Sequence, residues 1–254
     1  MPILGITASQ LSAGGLPVTA NLYRWYDASV ASSITSSGGL VSQWNDLSGN
    51  AGHLTQATST YQPTTGTTTQ NGKNVLACSV SKMINTISIT SNSLTVFVVF
   101  NKASAGTGNH TYTRWNSFWN TADPTGDYGN LNGIMGYASS QNLGGGFAPS
   151  FGAYRNNTDL ASQSYSYGSY ATAMRLNGTA VKTWYNGNTA TGTTSSTSLN
   201  ATRFTAFTAS DQVSANGDGF LNGWIAEIVI YNAALSDSDA TTVLNYLKTK
   251  WNVS

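Results

Sequence analysis

Few residues in this chain can carry acid–base chemistry. It holds 10 acidic residues, of which Glu227 is the single glutamate, 2 histidines, His53 and His110, and one cysteine, Cys78. Glycosidic hydrolysis needs two carboxyls held roughly 5 to 9.5 Å apart, one protonated and one ionised. Ile225 and Val229, the neighbours of Glu227 on one strand face, are apolar. Glu227 therefore reads as a buried structural hydrogen-bonding group. The nearest alternative is the pair Asp123 and Asp127, in the stretch 121–133, where Asn130 and Asn132 add further side-chain oxygens. Clustered oxygens suit a hard cation, so calcium on Asp123, Asp127 and Asn130 is the one cofactor expected. The spacing departs from an EF-hand loop, and a polar turn shaped by Pro124 and Gly126 is the competing account. A second oxygen-rich turn, Asp211 to Asp218, carries the same ambiguity.

Other chemistries find less support. There is no G-x-S-x-G elbow for a nucleophilic serine, and neither histidine has neighbours at metal-ligand spacing. His53 reads as a satisfied loop residue, and Cys78, in the apolar run Asn74–Val80, as a small buried hydrophobe. The glycines of Gly66…Gly72-Lys73 stand too far apart for a phosphate loop, and Asn74 replaces the required Ser or Thr. Gly144-Gly145-Gly146 lacks dinucleotide-binding spacing.

Binding has a denser signature. After the run Ser93–Phe100 come His110, Tyr112, Arg114, Trp115, Phe118, Trp119, Asp123, Asp127 and Tyr128. Aromatic rings stack on the apolar faces of sugars while carboxylates, amides and guanidinium bond the hydroxyls. The candidate ligand-binding set is Tyr112, Arg114, Trp115, Trp119, Asp123, Asp127 and Tyr128. The competing account is that the insert covers one sheet as a flap or adds a strand to it. A second aromatic stretch, Tyr154 through Tyr170 with Tyr165 and Tyr167, alternates with serine as a tyrosine-striped strand at an interface would.

The elements that must position these residues are strands. Only 8% of the 254 residues are charged, against about 25% in ordinary proteins. With 40% hydrophobic and 11% aromatic residues the chain has the means for a core, which excludes disorder. A net charge of +1 leaves no basic stripe for nucleic acid and no polybasic membrane anchor. The stretch 1–18 is neither a signal peptide nor a spanning segment, so any route out of the cell is expected to be another one, such as lysis.

Turn residues separate short β-branched and aromatic runs, the pattern of a sandwich or barrel. The clearest strands are Ser93–Phe100, Ala171–Leu176, Val181–Tyr185, Phe204–Ala209 and Gly223–Tyr231. In the last, strict alternation places Trp224, Ala226, Ile228 and Ile230 on one face and Ile225, Glu227, Val229 and Tyr231 on the other; both faces are apolar, so the strand should be central. Asn177-Gly178 and Asn186-Gly187 predict two successive hairpins. Ser236 is placed to cap a helix with Asp237 and Asp239 in its first turn, Val243, Leu244, Leu247 and Trp251 on its apolar face, and Lys248 and Lys250 near its end.

The segment Phe220–Ser236 resembles the closing strand of laminin-G-like domains, in which an aromatic, a glycine, an apolar-Glu-apolar core and a Tyr-Asn-x-x-Leu-Ser turn lead into a terminal helix. Trp44-Asn45-Asp46-Leu47-Ser48-Gly49-Asn50 is similar to the same family's early loop, and Asn71-Gly72 with Val75-Leu76 to its next strand. The resemblance implies an all-β, antiparallel two-sheet jelly-roll sandwich, concanavalin A-like, with a short C-terminal helix. The expected organisation is an N-terminal arm, 1–20, and one domain, 21–254. Laminarinase-type relatives of that fold cleave glucans with two glutamates and an aspartate on one strand, a pattern this sequence lacks. The opening Met1–Ser9 is also similar to the start of tailed-phage structural proteins. The function expected from these resemblances is a non-enzymatic bacteriophage virion protein: a capsid decoration or cement protein, or a surface-displayed binding module. Its partners would be other virion proteins of capsid or tail, it would sit on the virion surface, and it could form a homo-oligomer. A lectin-like module binding a host surface glycan is the alternative, and a polysaccharide depolymerase using aspartates stands third.

Overall fold

The computed structural model describes residues 15–90, 92–103, 117–120, 135–139, 150–155, 158–164, 166–194, 201–207 and 221–254. In chain order the strands begin with β1 (Leu22–Asp27), β2 (Ile34–Ser37), β3 (Leu40–Trp44), β4 (Leu54–Thr55), β5 (Thr69–Gln70), β6 (Lys73–Asn74), β7 (Leu76–Cys78), β8 (Met83–Ile89) and β9 (Ser93–Lys102). They continue with β10 (Ser117–Asn120), β11 (Met135–Ser139), β12 (Ser150–Arg155), β13 (Thr158–Ser164), β14 (Gly168–Asn177), β15 (Ala180–Tyr185), β16 (Asn188–Thr193), β17 (Ala201–Ala206) and β18 (Gly223–Tyr231). The helix α1 (Asp237–Trp251) follows.

One sheet has the order β1-β18-β9-β14-β15-β16, with β7 also pairing β18; the other runs β13-β12-β11-β10-β17-β8-β4-β3-β2, and β5-β6 form a small hairpin apart. The pairings are antiparallel, and the molecule is an all-β two-sheet sandwich with a C-terminal helix. Two apolar layers hold it together. Between the sheets lie Tyr26, Trp44, Leu94, Val96, Val98, Phe100, Met174, Leu176 and Phe204. On the opposite face of the first sheet, Phe97, Val99, Ala171, Ala173 and Trp184 pack under Val243, Leu244, Leu247 and Trp251 of α1. Strand β9 therefore buries both faces, which is why its sequence reads as an almost unbroken apolar run.

The closing strand β18 is central, between β1 and β9, but its faces differ from strict alternation. Its register against β9 steps from Ile225↔Phe100 to Glu227↔Val99, so Ala226 is a bulge residue. One extra residue resets the two-residue period. Ile225, Ile228 and Ile230 consequently enter the inter-sheet core, while Trp224, Ala226, Val229 and Tyr231 face the helix.

The hairpins form where Asn-Gly pairs predict them. Between β15 and β16 both Asn186 (φ +47°) and Gly187 (φ +77°) are left-handed, as a type I′ turn requires. Between β14 and β15 the loop is Gly178-Thr179, one residue later than the Asn-Gly pair, because Asn177 still pairs with Ala180. Two further expectations are corrected. The strand expected over Phe204–Ala209 is β17, Ala201–Ala206, because Phe207 turns out of it with φ +72°. The stretch from Tyr154 to Tyr170 is not one striped strand: it spans the end of β12, all of β13 and the start of β14, with Tyr167 exposed between strands and Tyr170 buried.

The insert after β9 contributes β10 and β11 to the second sheet, with Trp119 on β10 between β17 and β11. Residues 16–18 lie against the helix side of the first sheet: Leu16 is buried there and the Val18 carbonyl accepts the Tyr231 hydroxyl at 2.7 Å.

Helix α1 begins as the sequence predicts. The Ser236 hydroxyl accepts the Asp239 N–H at 3.1 Å and itself donates to the Asp239 carboxylate at 2.8 Å. Ser236→Ala is expected to lower stability by about 1 kcal/mol, measured by urea denaturation; an unchanged midpoint would mean that packing alone sets the helix start. At its other end the last carbonyls are taken up from far away in sequence: the Gln70 amide donates to Trp251 O (2.9 Å) and the Asn71 amide to Lys250 O (3.1 Å).

Candidate functional site

Where the outermost hairpin β15–β16 stands away from α1, a groove of about 350 Å³ opens on the helix side of the first sheet. Alternation along β15 turns Val181 and Tyr185 toward the inter-sheet core and Lys182 and Trp184 toward the helix. Trp184, Ala171 and Leu244 make an apolar floor. The type I′ turn holds Asn186 and Asn188 along one wall. Along the other run Asp237, Thr241, Asn245 and Lys248, a polar stripe at the three- and four-residue spacing of one helix face.

Charge is organised at both ends of this groove. The Asp237 carboxylate accepts Arg175 at 2.7 Å and Lys182 at 2.8 Å, tying the start of α1 to β14 and β15. The Lys182 hydrogen bond, helped by Arg175, holds the Asp237 carboxyl below the usual aspartate range. Both cations also stand over Trp184, Arg175 at 5.2 Å and Lys182 at 4.9 Å from the ring centroid, where the ring's quadrupole attracts positive charge. At the far end the Lys248 ammonium enters no hydrogen bond or ion pair among the described residues. Amides, a hydroxyl and charges above an apolar floor suit a small hydroxylated ligand.

Glu227, Asp27, Asp46 and Asp239 are committed elsewhere. Glu227 is fully buried beneath α1 and accepts the indole N–H groups of Trp25 (2.8 Å) and Trp251 (2.6 Å) and the Lys250 ammonium (2.7 Å). Lys250 also bonds Asp27, so two buried carboxylates share one cation in a closed site. Glu227 is thus the buried structural group expected of it, with Val229 but not Ile225 on its face. Asp46, in the Trp44–Asn50 loop, accepts the N–H groups of Trp25, Ser48 and Gly52 at 2.9–3.0 Å, and its own N–H donates to His53 Nδ1. Asp239 caps the helix. That loop and its histidine are scaffold. The Gly66…Lys73 run folds partly into the β5–β6 hairpin, with Asn71 and Gly72 left-handed at its turn. Cys78 is buried and its thiol pushed up by burial. Lys102, fully buried at the end of β9 between Gly168 and Gly223, has its amine pulled down to about 7 by burial.

Of the sequence-predicted ligand set, Trp119 is on β10, while Tyr112, Arg114, Trp115, Asp123, Asp127 and Tyr128 lie outside the described residues, as do Asn130, His110 and the turn from Asp211 to Asp218. Among the described residues no three His, Cys, Asp or Glu side chains are grouped to hold a metal ion. The groove was not among the sequence expectations. Its one signal was the stripe Asp237, Thr241, Asn245, Lys248, which reads equally as the solvated face of any amphipathic helix.

No family model matches the chain, and no curated protein does. Solved structures do match in fold. Domain 4 of AbnA, a GH43 extracellular arabinanase from Geobacillus stearothermophilus in complex with arabinotriose, is 16% identical with a TM-score of 0.56, over 88% of this chain and 98% of that one. A GH54 α-L-arabinofuranosidase is 16% identical with a TM-score of 0.59, over 84% of this chain and 51% of that one. Trypanosoma rangeli sialidase is 11% identical with a TM-score of 0.58, over 94% of this chain and 35% of that one. At these identities the likeness establishes the fold, a concanavalin A-like, jelly-roll-type sandwich. It also overturns the expectation of a non-enzymatic virion part. The three structures named above belong to glycoside hydrolases, and the N-terminal segment that suggested a virion lies outside the described residues.

Proposed function

We propose that this sandwich is a carbohydrate-processing domain that seats an oligosaccharide in the groove between α1 and the β15–β16 hairpin. The observation that carries the reading is the likeness to nearly the whole of an arabinotriose-bound domain of an arabinanase. The groove adds the means: Asn186, Asn188 and Asn245 for sugar hydroxyls, and an apolar floor for the C–H face of a ring. Its volume suits a one- or two-ring unit.

Calorimetric titration with arabinotriose and longer arabino-oligosaccharides tests the reading. Removing the amides together, Asn188→Ala with Asn245→Ala, is expected to weaken binding about tenfold, each lost hydrogen bond being worth about 0.5–1.5 kcal/mol, with an unchanged melting temperature. Binding of no saccharide, or binding indifferent to both substitutions, would sink it. A second reading, cleavage of the bound polysaccharide by Asp123 and Asp127, is favoured by the hydrolase company this fold keeps. It requires reducing-end release that Asp123→Asn or Asp127→Asn abolishes.

A further inference from the structure

We propose that the groove selects a saccharide bearing a carboxylate, a hexuronate unit whose negative charge meets the Lys248 ammonium. This inference rests on the groove being a saccharide site, and it names the class of sugar.

The argument is one of charge placement. At one end Lys182 is paired with the carboxylate of Asp237, which Arg175, outside the lining, also bonds. Lys248 brings a second ammonium at the opposite end, without a described partner. Its neighbours one helical turn away, Leu244, Asn245, Trp251 and Asn252, include no carboxylate, and the terminal carboxylate of Ser254 is taken up by the Ala171 N–H at 2.9 Å without pairing with Lys248. The groove's lining thus holds two ammonium groups, Lys182 and Lys248, against the one side-chain carboxylate of Asp237, a surplus of one positive charge. Cations concentrated in a concave site favour an anion there, and the hydrogen bonds that follow are charge-assisted.

The rest of the lining decides what kind of anion. A free inorganic anion would need only the cations. Here the ammonium stands beside an apolar floor of Ala171, Trp184 and Leu244 and opposite the amides of Asn186 and Asn188. An uronate ring offers all three complements at once: a C–H face, hydroxyls and a carboxylate. Lys248 is half-buried on a flexible stem, so it can reach a carboxylate on a ring seated in the groove without any backbone change.

The test compares trigalacturonate with its methyl ester, identical but for charge, by calorimetric titration of the full chain at about 50 and 500 mM salt. The acid is expected to bind about tenfold more tightly than the ester at low salt, the scale of one charge-assisted hydrogen bond. The advantage should shrink at high salt, vanish in Lys248→Met and return in Lys248→Arg. Equal binding of acid and ester overturns the charge selection while leaving the saccharide site standing. A preference that survives Lys248→Met overturns the assignment to this lysine. Failure of both, together with failure of arabino-oligosaccharides, removes the saccharide site and this inference with it.

Discussion

Lys250→Met is expected to destabilise the folded chain by about 3–5 kcal/mol, because it leaves two buried carboxylates without their shared cation. Burial alone would pull the Lys250 amine down, yet Glu227 and Asp27 together hold it above the ordinary lysine range. The carboxyl of Glu227 is pushed up, chiefly by burial, with Lys250 pulling it back and Asp27 adding to the rise. A carboxyl raised in the folded state retains a proton that the unfolded chain releases. Its stabilisation is complete below the unfolded value and is lost as pH climbs through the folded one. Without Lys250 that rise grows. The variant should therefore recover part of its loss between pH 7 and pH 5, while the parent changes less. Urea denaturation of both proteins at the two pH values checks this; an equal deficit at both would mean that Glu227 stays ionised without its partner.

The second large effect sits at a glycine. Gly223 opens β18 with φ +156°, and a Cβ there would stand 2.0 Å from the carbonyl oxygen and 2.8 Å from the carbonyl carbon of Asn101. The obstacle is backbone, in the central strand β9, which is paired on both sides. Gly223→Ala must push two buried strands apart, and about 3 kcal/mol is expected from the overpacking. Gly178→Ala provides the contrast: its φ is +60° but nothing lies within 4 Å of the new methyl, so only the left-handed conformation is penalised, by about 1 kcal/mol. Thermal melts that rank the two variants in the opposite order would show that the β9–β18 pairing yields.

Much of the scaffold was legible because it depends on local rules. The double-sided burial of β9 follows from its composition, the hairpin ends of β15 from two Asn-Gly pairs, and the start of α1 from Ser236 and its acidic first turn. The bulge at Ala226 was not legible, since nothing in Gly223–Tyr231 breaks the period of two. It arises from the register β18 must keep with β9 while also serving β1 and β7. Glu227 is the buried structural group expected of it, although the bulge leaves only Val229 of its two apolar neighbours on its face, and its partners were hidden by distance, Trp25 being 202 residues away. The groove escaped for the same reason. Asp237, Thr241, Asn245 and Lys248 become a wall only because Asn186–Thr189 stands opposite.

The termination of α1 has a consequence for how the molecule closes. The side chains that receive its final carbonyls belong to Gln70 and Asn71, 181 and 179 residues upstream, and the ammonium of its last turn is anchored to Asp27 in β1. A chain being synthesised makes these receptors long before the helix exists to use them. Ordering the loop between them costs entropy that local contacts cannot recover, so such closures come late and set the pace of assembly. Once made, they join the two ends of the sequence into one cooperative unit, and peeling the helix away requires releasing the first strand and the small hairpin in the same event.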